Sequence, residues 1–76
     1  MREFIEALAK QLVDDPSLVV VTEELVDDRH VIKVKVDKKE VGKIIGKQGR
    51  TAQALRVLLS AVAAKQKLKA RLEIVD

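Results

Sequence analysis

The segment VGKIIGKQGRT, residues 41–51, holds all three glycines of the chain and three of its basic residues. No other stretch constrains the fold as tightly. Glycine admits positive φ at little cost, so a sharp reversal between two helices is expected at Gly46-Lys47-Gln48-Gly49. Gly46 alone could be an ordinary helix stop. Gly49 and the basic flanks are not explained that way. Nor is Gly42, since glycine inside a helix costs about 1 kcal/mol relative to alanine. Its presence suggests that something packs directly on that helix face. The helix after the turn begins with unpaired amide N–H groups and the positive end of its dipole. A phosphate lying across the turn would meet those donors together with Lys43, Lys47 and Arg50. A plain structural turn is the competing reading.

Two familiar phosphate loops do not fit. A P-loop places four residues between its glycines and then reads Gly-Lys-Ser/Thr. Here three residues separate Gly42 from Gly46, and Lys47 is followed by Gln48. The dinucleotide fingerprint Gly-x-Gly-x-x-Gly is absent as well, so ATP and NAD chemistry find no support and no cofactor is implied.

The rest of the chain can be read around this junction. Phe4, Ile5, Leu8 and Leu12 share a helical face, which predicts a helix over about 2–13 and places Phe4 in the core. Pro16 disfavours helix in the residue before it and ends that element. LVVVTEELV predicts a strand over about 18–26, and Asp27-Asp28-Arg29 a short turn. HVIKVKVD alternates, with Ile32, Val34 and Val36 on one face and Val31, Lys33 and Lys35 on the other. Asp37 and Glu40 form an Asp-x-x-Glu variant of the capping box at the head of a short helix over about 38–45. A longer helix should run from about 50 to 66, followed by a strand at 68–75 with Leu68, Ala70, Leu72 and Ile74 inward. The order α-β-β-α-α-β describes a two-layer α+β domain spanning 1–76, a three-stranded sheet with three helices on one face.

Composition narrows the function. There is no cysteine, and a single histidine, His30, cannot build a zinc site alone, so no metal is expected. No catalytic residues are expected either, because no nucleophile stands beside a base and Ser60 falls on a helix exterior. No apolar run approaches the ~20 residues of a membrane span, and the acidic N-terminus lacks a signal-peptide core. A cytoplasmic protein is expected. Residues 1–32 hold three basic and eight acidic side chains and residues 33–76 twelve and four, so the net +3 divides into −5 and +8. The basic half contains the glycine segment, and a segregated positive field suits a polyanion. Lys33, Lys35, Lys69 and Arg71 on the wet face of the sheet read more simply as solubilising residues.

VGKIIGKQGRT resembles the signature of the K-homology (KH) family, Ile-Gly-x-x-Gly framed by two helices, and the element order is similar to the type II KH fold. The resemblance covers the whole chain and extends, through its length, DDP and VGKIIGKQGRTAQALR, to the small bacterial single-KH proteins of the KhpA family. It implies a non-catalytic protein whose Gly-x-x-Gly turn clamps the backbone of single-stranded RNA. Carried over, Gly46, Lys47, Gln48 and Gly49 hold the backbone, Gly42, Lys43, Ile44 and Ile45 form the helix before them, and Arg50 and Thr51 open the helix after. Val36 would help wall the groove, with Ile45 anchoring the turn to the core. Many KH domains carry a larger aliphatic residue where this chain has Ala52, which weakens the case for tight base selection. Phe4, as the one aromatic residue, leaves no stacking platform of the kind other RNA-binding folds use.

The helix RTAQALRVLLSAVAAKQ turns Leu55, Leu59 and Val62 to the core. Ala54, Val57, Leu58 and Ala61 make a second apolar strip that would otherwise meet water. A partner contact is expected there. A two-fold homodimer is the simplest closure, and the resemblance adds a heterodimer with a KhpB/Jag-type KH protein. The family also implies a role as RNA chaperone or post-transcriptional regulator. A protein-interaction adaptor, with the fold used mainly for dimerisation, is the alternative.

Overall fold

A computed structural model describes residues 1–75. Helix α1 spans Arg2–Leu12, strands β1 and β2 span Val20–Val26 and Arg29–Lys35, helices α2 and α3 span Val41–Ile45 and Arg50–Lys65, and strand β3 spans Ala70–Val75. Short 3-10 turns at Pro16–Leu18, Lys38–Glu40 and Lys47–Gly49 join them. The sheet order is β1-β2-β3. β2 runs antiparallel to β1, with Val21 opposite Val34, and parallel to β3, with Ile32 opposite Leu72. The parallel pair requires a crossover, and α2 and α3 provide it. This is the α+β architecture and element order of a type II KH fold.

The core lies between the sheet's inner face and the three helices. Val21, Ile32, Val34 and Leu72 meet Ile5, Ile44, Leu55 and Leu59. Strand alternation and helical spacing thus deliver most of the expected residues. Phe4 is a correction: it is 39% exposed, whereas Ile5 and Ala9 are fully buried. The apolar stripe of α1 is centred on Ile5, Leu12 and Ala9, and at about 100° per residue Phe4 lies a quarter turn away.

The ends of the elements carry further differences. Asp27 and Asp28 both take positive φ, 49° and 66°, which is the two-residue I′ hairpin that suits twisted strands. Leu18 sits in a 3-10 turn ahead of β1, and β3 starts after Leu68, which is exposed. Helix α3 closes with Leu68 N donating to Ala63 O at 2.8 Å and Lys67 N to Ala64 O at 3.0 Å. That is a Schellman motif, with Lys67 at φ 58° in the place usually given to glycine.

The expected capping box is absent. Asp37 makes no side-chain cap, because the chain enters α2 through a 3-10 turn rather than a full helical turn. Glu40 turns the other way. Its carboxylate is buried and accepts from Asp14 N at 2.6 Å and Asp15 N at 3.4 Å. It thereby satisfies amides at the exit of α1 and fastens that exit to the head of α2. A buried carboxylate is tolerated when hydrogen-bonded in this way.

Candidate nucleic-acid interface

The junction between α2 and α3 takes three positive φ values within four residues: Gly46 at 78°, Gln48 at 58° and Gly49 at 74°. Gly46 donates to Gly42 O at 2.8 Å and closes α2, and Gly49 donates to Gly46 O at 3.1 Å. Arg50 N then bonds Lys47 O. Some of the amides expected to be unpaired are therefore used in building the turn. Helix α3 has no side-chain cap at Gly49.

The three glycines have different reasons. A Cβ on Gly46 would fall 2.6 Å from Thr51 Cβ and 2.9 Å from Thr51 N, and closer still to the Thr51 hydroxyl. Its φ of 78° with ψ of 172° also belongs to a region open essentially to glycine alone. Gly49 needs its freedom only for φ, since a Cβ there would stand in open space. Gly42 needs neither: it is helical, and a Cβ would meet no atom within 4 Å. No contact among the described residues accounts for it.

The expected site residues separate into surface and support. Gly42 and Ile45 are three apart in α2 and share its exposed side. Ile45 is 40% exposed, while Ile44 is fully buried, so Ile44 and not Ile45 anchors the turn to the core. Val36 is also buried, so its side chain offers little surface for the groove wall expected of it. Ile44 and Val36 thus support the site without offering side-chain surface to a ligand. Ala52 is buried as well, and Thr51 is half-buried against Gly46. The exposed set is Gly42, Lys43, Ile45, Lys47, Gln48 and Arg50.

The cations differ too. Among the described residues Lys47 has no acidic partner, and Arg50 donates to Gln48 Oε1 at 3.2 Å. Lys43 is engaged: its ammonium donates to Asp14 Oδ2 and lies 3.6 Å from Glu40 Oε1. The hydrogen bond to Asp14, reinforced by Glu40, holds its pKa above the ordinary lysine value. Lys38 and Lys39, on the turn leading into α2, are exposed and without acidic partners among the described residues. They strengthen the positive field near the junction, which reading the glycine segment alone overlooks.

On the outer sheet face two of the four cations, Lys33 and Arg71, have acidic partners close by. Lys33 lies 3.5 Å from Glu24 Oε1, and Arg71 pairs with Glu73. These pairs favour the solubilising reading. His30 sits beside the hairpin with Nδ1 2.8 Å from Glu23 Oε2. The second strip of α3 is open as expected: Val57 is 58% and Leu58 43% exposed, and Ala54 and Ala61 are exposed with them. No helix of the described residues is long and apolar enough to cross a membrane, and no His, Cys, Asp or Glu cluster among them could hold a metal ion.

Comparison with known proteins places this geometry in a family. The family model "KhpA/KhpB, KH domain" matches residues 2–74. The chain is similar to RNA-binding protein KhpA of Listeria monocytogenes serovar 1/2a, 46% identical over 76 residues and covering both chains completely. It is similar to RNA-binding protein KhpA of Clostridium perfringens, 43% identical over 75 residues, covering 99% of this chain and 100% of that one. The Aquifex aeolicus RNA-binding protein KhpA is 43% identical over 76 residues, covering 100% of this chain and 96% of that one. Among solved structures, Era in complex with MgGDPNP and nucleotides 1506–1542 of 16S ribosomal RNA matches with a TM-score of 0.56 at 23% identity. The match covers 96% of this chain and 28% of that one, a likeness of fold over a small part of a larger protein. With a family model matching residues 2–74 and relatives 43–46% identical over essentially their whole length, the chain belongs to the KhpA/KhpB family of KH-domain proteins.

Proposed function

We propose that this chain is a non-catalytic protein that binds single-stranded RNA across the turn formed by Gly46, Lys47, Gln48 and Gly49. Its relatives bear the name RNA-binding protein KhpA. The single observation that carries the reading is Gly42. It weakens α2 while, beyond the helix's own backbone, no atom of the described residues comes within 4 Å of where its Cβ would stand. Such a residue is useful if a base or sugar lies there, beside the exposed Ile45. Lys47 and Arg50 then face phosphates, and the positive φ values of the turn shape the ribbon that follows the strand. Lys43 joins them once released from Asp14. Ile44, Thr51 and Val36 hold the surface in place.

A second observation supports a dimer. Ala54, Val57, Leu58 and Ala61 form an exposed apolar strip on α3, and small side chains let two helices approach closely. A homodimer joins two weak grooves and raises affinity for any RNA that reaches both. The same strip suits a KhpB/Jag-type KH partner. In the cytoplasm such a dimer would serve as RNA chaperone or post-transcriptional regulator. The adaptor reading keeps the strip and discards the groove.

Replacing Lys47 and Gln48 by aspartate separates these readings. RNA affinity should collapse while the sedimenting mass stays that of a dimer. Binding of the parent should weaken steeply with salt, because neutralised phosphates release counterions. Removing Lys47 or Arg50 should flatten that slope. Unchanged RNA affinity in the double aspartate variant would favour the adaptor.

A further inference from the structure

The geometry points to Asp14 as an internal competitor that occupies Lys43 and sets the affinity of the RNA groove, a role that rests on the RNA-binding reading above. Lys43 stands in α2, one helical turn ahead of Gly46. Long side chains on a helix lean toward its N-terminus, and Lys43 leans away from the glycine turn, toward the exit of α1. There its ammonium meets Asp14 Oδ2 and, at 3.6 Å, Glu40 Oε1. The two carboxylates are not equivalent. Glu40 is buried and committed to Asp14 N and Asp15 N, so it is fixed in place. The Asp14 side chain is 85% exposed, and Lys43 is its one side-chain partner among the described residues.

Asp14 therefore offers Lys43 what a phosphate would offer: an anionic oxygen at hydrogen-bond range. A strand lying over Gly42 and Ile45 must take Lys43 from Asp14, or leave it there and forgo a contact. Either way the carboxylate lowers the net gain on binding. It also places a negative charge beside the path of a polyanion. Asp14 is dispensable to the fold in a way Glu40 is not, because only its backbone N–H is used to close the exit of α1.

The test is the affinity of the full chain for a fluorescent single-stranded oligouridylate, measured by anisotropy at low and at physiological salt. Asp14→Asn is compared with Asp28→Asn, which makes the same charge change at the hairpin tip, at the opposite end of β2. Thermal melts establish that both variants are folded, and Asp14→Ser removes the carboxylate a second way. Asp14→Asn should bind about two- to fivefold tighter than Asp28→Asn at low salt, the scale set by an exposed ion pair. The gain should shrink as salt rises and vanish when Lys43→Gln is added. Equal affinities for Asp14→Asn and Asp28→Asn, or a gain that persists without Lys43, would overturn the competitor role and leave RNA binding standing. Absence of binding by every chain, the parent included, would remove both.

Discussion

Replacing Gly42 by alanine asks the fold and the ligand for opposite answers. A Cβ at this position meets no atom within 4 Å, and the backbone is already helical. The free protein should therefore gain. Alanine in place of a helix-interior glycine returns about 0.5–1 kcal/mol, which raises Tm by roughly 2–8 °C in a domain of this size. Binding should fall. The methyl occupies the surface assigned to a base or sugar, and a fitted contact forced to accept an extra methyl loses about 1–3 kcal/mol. That is a weakening of roughly 5- to 150-fold. Thermal melts by circular dichroism and anisotropy titration with oligouridylate measure the two effects separately. A stabilised Gly42→Ala that binds like the parent would refute the placement of the strand over α2. A destabilised one would refute the account of an open helix face.

Gly46→Ala should lose at least about 2 kcal/mol of stability, from the glycine-only conformation and the collision with Thr51. Gly49→Ala should lose only about 1–2 kcal/mol, since positive φ is its sole burden; equal losses in denaturant melts would contradict the distinction. Lys67→Gly should stabilise by about 0.5–1 kcal/mol, because Lys67 holds the left-handed position of the Schellman motif; an unchanged or lower Tm would count against it. Leu58→Glu, on the exposed strip of α3, should shift the protein toward monomer, and an unchanged sedimenting mass would remove the proposed interface.

What could be read from the residues depended on whether the signal was periodic or particular. The alternation of Ile32 and Val34 with Lys33 and Lys35, and the spacing of Leu55 and Leu59, led directly to the sheet, the long helix and their facing sides. The glycine turn was legible because Gly49, three residues after Gly46, goes beyond what an ordinary helix stop requires. Phe4 misled because it was counted on the same helical face as Ile5, Leu8 and Leu12, while burial of the small Ala9 shifts the centre of the stripe away from it. Glu40 misled because a local pattern offered it Asp37, whereas two amides 25 and 26 residues away required it more. Lys67 gave no sign, since the pattern expected at such a helix end is glycine. Within the site, Ile44 and Ile45 are chemically alike, and only the rotation of a five-residue helix decides which is buried.

The glycine junction also lies within the chain that links the parallel strands β2 and β3. Those strands cannot align until this connection has doubled back, so the bend that would hold a ligand also closes the longest loop of the sheet. Loop closure is an entropic toll on folding speed. Insertions in the bend should therefore delay maturation of the protein as well as reshape its grip. Variation that retunes recognition is freest on the exposed side chains of the bend, where sequence can drift without lengthening the road between the two strands.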